Sequence, residues 1–225
     1  TSTISTTESF TRGGVDYKVT CTITNIRQTR GTNAKPWIRA YTPGTWRGDG
    51  LDDLYNVGGP GASNTMPIGI RNIHDGNTIQ FNVACSATVK RNNVETSFPL
   101  AGLVMASAES SVTAGNFREN VAATISSSGK WRILDRVRGT DCTYSGYARL
   151  TNVSGGQRLV LNAPGTTICE GEIFNVDPDP GLLPNPTAVA YMEGVTSATD
   201  VTLAGRGYEA IALGVVVAND FGDAP

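Results

Sequence analysis

Two stretches of strict alternation, each with a cysteine on its apolar side, constrain this chain more than any other feature. From Val15 onward, Val15, Tyr17, Val19, Cys21 and Ile23 fall on one side, and Asp16, Lys18, Thr20, Thr22 and Thr24 fall on the other. That is the pattern of a strand with one buried face. Ile79, Phe81, Val83, Cys85, Ala87 and Val89 alternate in the same way with Gln80, Asn82, Ser86, Thr88 and Lys90. The two strands suit each other as partners, and inward cysteines on both fit a disulfide across or within sheets. With Cys142 and Cys169 the chain has four cysteines, so three pairings are formally possible. The expected pairing is Cys21 with Cys85 and Cys142 with Cys169. Each closed loop would contribute about 4 kcal/mol in the chain-entropy model, which has meaning only in an oxidising compartment. Free buried cysteines in a cytosolic protein are the alternative reading.

The end of the chain points the same way. Ala210 to Ala218 is an uncharged run of small and β-branched residues, expected as a central strand covered on both faces. Asn219 to Pro225 supplies turn formers, expected as the start of a linker after a single domain spanning residues 1–218. Further strands are expected at 100–106, 131–138, 158–162, 188–192 and 200–203, and Thr1 to Ser9 as an edge strand or tail. About ten strands at this spacing, with no amphipathic helix and no repeat, predict an all-β antiparallel sandwich with a long irregular loop region and little helix.

Charge narrows the partners. The 225 residues carry a formal net charge of -2, which provides no field to attract a phosphate backbone, so nucleic acid is not expected as a partner. No apolar run is long enough to span a bilayer as a helix, so direct membrane insertion is not expected either.

Between the two cysteine strands lies Arg27 to Asn77, rich in glycine, proline and asparagine, and a region of that length is functional or disordered. Trp37, Tyr41, Trp46 and Tyr55 argue for function. With Arg47, Asp49, Asp52 and Asp53 they make the expected ligand-binding set: rings stack on the apolar side of a sugar while carboxylates and amides pair with its hydroxyls. Tryptophans that only plug the end of the sandwich are the plainer reading. Asp49, Asp52 and Asp53 could also supply hard oxygens to calcium, the one cofactor considered. Arg47-Gly48-Asp49 is the tripeptide that integrins read on an exposed turn. His74 reads as a turn residue, Arg132, Asp135 and Arg136 as a structural ion pair, and Asn175 to Gly181 as a solvated acidic turn.

Several motifs together carry a resemblance: Phe98-Pro99-Leu100-Ala101-Gly102-Leu103-Val104 running to Ala108-Glu109, Trp131-Arg132-Ile133-Leu134-Asp135-Arg136, and Ala210-Ile211-Ala212-Leu213-Gly214-Val215 closing on Asp220-Phe221-Gly222-Asp223-Ala224-Pro225. The chain resembles the lectin-like, non-repetitive domain of CshA-type fibrillar surface adhesins of bacteria, by motif over about its last 130 residues and by architecture over the whole. The resemblance implies a lectin-like jelly roll at a fibre tip, outside the cell on the bacterial surface. It implies a monomeric module within a longer chain that binds a host or neighbouring-cell glycan or glycoprotein without turnover. No enzyme is expected, because the single His74 is a poor start for a nucleophilic triad. A carboxylate-pair glycosidase, using Asp49 with Asp53 or Glu170 with Glu172, and a passive stalk spacer are the competing classes.

Overall fold

The structure is a computed structural model. It describes residues 3–43, 67–74, 76–108, 113–114, 117–137, 148–161, 187–205 and 207–217. These residues are all-β, with no helix among them. In chain order the strands are β1 (Ile4–Arg12), β2 (Val15–Arg30), β3 (Ile38–Tyr41), β4 (Gly69–Asn72), β5 (Thr78–Arg91), β6 (Val94–Phe98), β7 (Leu100–Ser107) and β8 (Thr113–Ala114). They continue with β9 (Phe117–Arg118), β10 (Asn120–Ser126), β11 (Lys130–Val137), β12 (Ala148–Val153), β13 (Gly156–Leu161), β14 (Thr187–Glu193), β15 (Ser197–Ala204) and β16 (Ala210–Val217).

The strands form two antiparallel sheets, neither closed into a barrel. One runs β1-β2-β5-β15-β10-β13-β12, with β6 added to β5; the other runs β11-β14-β7-β16-β4-β3, and β8 and β9 make a separate ribbon. This is a β-sandwich. Its core comes from inward positions of both layers: Phe81, Val83, Ile125, Leu161 and Leu203 from the first meet Leu103, Met105, Met192 and Ile211 from the second. Alternation places the residues flanking Ile211 on the opposite face, where Ala210 and Ala212 join Tyr41, Ala106 and Ala108 in a second, smaller cluster.

The cysteine strands pair as the alternation predicts. β2 and β5 are antiparallel neighbours with Cys21 opposite Cys85, and the two sulfurs are bonded, with Cα atoms 4.1 Å apart. The staple therefore lies within one sheet. Cys142 and Cys169 lie outside the described residues. Two hairpins frame this pair of strands. Gly13 and Gly14 join β1 to β2 with φ of 58° and 72°, and Asn92 and Asn93 join β5 to β6 with φ of 49° and 63°. Two consecutive left-handed residues make the type I′ turn that matches strand twist, and asparagine tolerates it better than other side chains. Asn93→Ala should cost about 1 kcal/mol, read as a fall of a few degrees in the thermal midpoint; an unchanged midpoint would contradict the turn assignment.

Several expectations need correction. The irregular region is shorter than read, because β2 runs on to Arg30 and the region also contains β3 and β4. Between β7 and β10, where no strand was expected, lies the short ribbon β8–β9. In β11 the register with β14 shifts between Ile133 and Asp135, a bulge that breaks period-two alternation along this expected strand. Arg132 donates from Nε to Glu193 Oε2 at 2.8 Å, a bridge across the β11–β14 ladder; the side chains of Asp135 and Arg136 lie outside the described residues. β16 is central, between β7 and β4. Burial is complete only over Ala210, Ile211 and Ala212, and Gly214 is exposed.

Candidate functional site

The recognition loop read from the sequence springs from one place. Tyr41 and Gly69 are register partners at the ends of β3 and β4, the Ile68 amide donates to the Tyr41 carbonyl at 2.8 Å, and the Leu213 amide donates to the Ile68 carbonyl at 2.9 Å. The segment between these strands leaves and re-enters the sandwich through a hydrogen-bonded base, with β3 at the edge of the sheet. Gly69 is required there. A Cβ at this position would lie 1.9 Å from the Ile211 carbonyl oxygen, so only glycine lets β4 approach β16 this closely. Trp46, Arg47, Asp49, Asp52, Asp53 and Tyr55 lie outside the described residues.

The two described members of the predicted set part company. Tyr41 is fully buried, within the small cluster behind β16, so it supports the base and offers no stacking surface. Trp37 is half-buried, one side packed against the main core. Its indole Nε1–H donates to the Asn33 carbonyl at 2.8 Å, and the Lys35 ammonium sits 5.0 Å from the ring centroid, a cation–π contact. His74 lies in the bend before β5, a ring nitrogen 3.2 Å from the Ala34 carbonyl oxygen. It holds the Asn33 to Trp37 turn against the next bend, as a turn residue should.

Two arginines at this base were missed in the sequence. Arg39 of β3 and Arg71 of β4 stand directly opposite each other, an arrangement that disfavours pairing because like charges face across the ladder. Arg71 is relieved: its guanidinium lies 5.0 Å from the Tyr208 ring centroid and donates to the Asn72 carbonyl at 3.1 Å. Arg39 is exposed. Tyr208 is also exposed, at 38%. Only strand pairing over more than a hundred residues brings Arg71 and Tyr208 together, so no local pattern signals it.

Under this corner lies a polar knot. Asn72 is fully buried; its Oδ1 accepts the Glu209 amide at 2.9 Å, and its Nδ2 donates to Asn77 Oδ1 at 3.3 Å and to the Gly207 carbonyl at 3.0 Å. Glu209, also fully buried, accepts at Oε1 from its neighbour's amide, Ala210 N–H, at 3.0 Å. The knot fixes the 207–209 segment to β4, which sets Tyr208 over Arg71.

Two other polar groupings lie on the eight-stranded sheet. At a bulge in β15, Asp200 adopts φ of 49° and its carboxylate pairs with Arg27 of β2. Arg158 of β13 donates to the Asp200 carbonyl at 3.0 Å, to Thr124 Oγ1 at 3.1 Å and to Thr202 Oγ1 at 2.9 Å. Burial lowers the Arg158 pKa and the nearby Asp200 charge raises it. With Gln80 of β5, which accepts from Arg27 at 2.8 Å and donates to Thr202 Oγ1 at 3.2 Å, this row ties the neighbouring strands β2, β5, β15, β10 and β13 of the sheet and reads as a brace. Farther along, the β1, β2, β5 and β6 surfaces enclose a shallow depression of about 310 Å³ lined by Thr11, Asp16, Lys18, Thr88, Lys90 and Glu95, among others. Its carboxylates are taken by hydroxyls, Thr11 to Asp16 and Thr88 to Glu95, each at 2.6 Å.

Among the described residues no group of three or more histidine, cysteine, aspartate or glutamate side chains could hold a metal ion. No helix among them is long and apolar enough to cross a membrane.

The family model described as surface adhesin CshA non-repetitive domain 2 matches residues 1–217. The chain belongs to this family. It is a surface adhesin domain that works outside the cell, at the cell surface, by contact with host or cell-surface partners. No curated protein matches the chain. Within this adhesin domain, the β3–β4 corner is where a long segment, a half-exposed tryptophan and two arginines share one base.

Proposed function

We propose that this adhesin domain is a non-catalytic recognition module that binds a host or neighbouring-cell glycan or glycoprotein through the segment between β3 and β4, together with Trp37 and Arg39 at its base. The supporting observation is the closed base, with Tyr41 paired to Gly69. A long segment on a rigid two-strand platform can vary its contacts without disturbing the sandwich, the division of labour seen in loop-based binding sites generally. Trp46 and Tyr55 supply stacking faces, and Asp49, Asp52 and Asp53 supply acceptors for hydroxyls or oxygens for calcium. Arg39, cationic and without an ion-pair partner among the described residues, favours a ligand bearing a carboxylate or sulfate.

The test is binding of the purified domain to a glycan and matrix-protein array in calcium, with a chelated control. Saturable binding should fall about tenfold in Arg39→Ala and in Trp46→Ala, a loss worth about 1.4 kcal/mol each, with thermal midpoints unchanged. Loss in chelator would make calcium part of the site. Loss of cell attachment in Asp49→Glu alone would favour integrin as the partner. Release of reducing sugar would replace this reading with a hydrolase, and no binding to any array member would replace it with a stalk spacer.

A further inference from the structure

β1 is an edge strand of nine residues in which every side chain is exposed. It pairs with β2 without a shift in register from Ile4↔Ile23 to Arg12↔Val15. Edge strands are ordinarily guarded by lysine, proline, a bulge or short length. None of these guards is present in β1, and its only charges are Glu8 and Arg12.

The direction of its backbone groups follows from the ladder. The Cys85 amide donates to the Thr196 carbonyl at 2.8 Å, away from β2, so Cys21 and Cys85 form a pair without hydrogen bonds between them, in keeping with their short Cα separation. Cys21 then directs its amide and carbonyl to Thr6 of β1. Alternation gives Ile4, Thr6, Glu8, Phe10 and Arg12 to β2, and turns the amides and carbonyls of Ser5, Thr7, Ser9 and Thr11 to the open side.

We propose that this edge pairs with the same edge of a second copy of the chain, antiparallel about a two-fold axis at Thr7. The register is chosen by side chains. Ile4 and Phe10 are the two large apolar residues of β1, 44% and 46% exposed, and they share a face because they are an even number of residues apart. Centring on Thr7 sets Ile4 of one copy opposite Phe10 of the other, twice, at the positions where cross-strand side chains approach most closely. It also forms hydrogen-bonded pairs of Ser5 with Ser9 and of Thr7 with its symmetry mate. Centring on Glu8 instead opposes two carboxylates. Centring on Thr6 sets Ile4 against Glu8, and centring on Ser9 sets Phe10 against Glu8. Phe10 already stacks on Tyr17 with ring centroids 5.2 Å apart, so each incoming Ile4 extends an existing apolar row. A closed two-fold interface of this kind uses the same patch twice and stops at two copies. This departs from the monomeric module expected from the sequence, and it would join copies on one surface or on facing surfaces.

Sedimentation velocity of the 225-residue chain over a wide concentration range tests this. A concentration-dependent dimer is expected. Thr7→Pro removes an outward amide from each copy while leaving every β1–β2 backbone hydrogen bond intact and losing only the exposed Thr7–Thr20 hydroxyl contact, so it should weaken the dimer about tenfold to thirtyfold with little change in thermal midpoint. Ile4→Lys should weaken it similarly by a separate route, replacing the apolar contact with Phe10. A chain that stays monomeric throughout would overturn the proposal, and so would a dimer that both variants leave unchanged.

Discussion

Replacing Cys21 and Cys85 together by alanine is expected to lower the free energy of unfolding by about 4 kcal/mol. The two residues are 64 apart in sequence, and the cross-link removes from the unfolded chain the freedom of that whole loop. The effect should act on the unfolded state. β2 and β5 remain paired along most of their length without the bond, so the variant should keep its sheet and lose stability. Urea unfolding gives the measurement, as a lower midpoint. The double substitution is a cleaner probe than a reductant, because it leaves Cys142 and Cys169 unchanged. A loss below about 1 kcal/mol would mean that the unfolded chain is already compact around these strands, with little loop entropy left for the bond to remove.

Asn72→Ala is expected to cost about 3 kcal/mol or more, a large effect for one side chain that touches no ligand. The residue is fully buried and satisfies the Glu209 amide, the Gly207 carbonyl and Asn77 Oδ1 at once. Alanine leaves two buried polar groups and the partly buried Gly207 carbonyl to find other partners, each buried one at about 1–3 kcal/mol if it fails. Asn72→Asp should do no better. It keeps the acceptor for the Glu209 amide, but it loses both donated hydrogen bonds and brings a carboxylate toward buried Glu209. The two variants are compared by urea unfolding, and a cost below about 1 kcal/mol in Asn72→Ala would remove the knot from the account of how Tyr208 is held over Arg71.

What the sequence made legible was the part of the fold written in period two. β2 and β5 alternate cleanly, and their pairing and disulfide follow. β10 was not found, because Val121, Ala122 and Ala123 are all fully buried. A short run of small residues covered on both faces has no alternation to detect. β6 and β12 were missed for the opposite reason: nearly all their residues are exposed, and they are held in place by hairpin turns. The bulges in β11 and β15 each insert a residue that period-two counting does not anticipate. At the candidate site, Trp37 stood out by its chemistry. Tyr41 did too and is buried, since a tyrosine in a short strand looks alike whether its ring faces water or a layer of alanines. Arg39, Arg71 and Tyr208 became visible only when β4 was set beside β3 and β16.

The paired ends of the segment between Tyr41 and Gly69 bear on how such a domain changes over generations. Closing a loop costs free energy that grows only with the logarithm of its length, about 0.6 kcal/mol for each doubling. By this scaling, a change in the length of the chain between Thr42 and Ile68 alters the closure cost of the paired base only slightly. Under the recognition role proposed for this interval, a lineage would change what it adheres to by rewriting one stretch of the gene. The same interval is the natural place to graft a foreign binding sequence onto the sandwich.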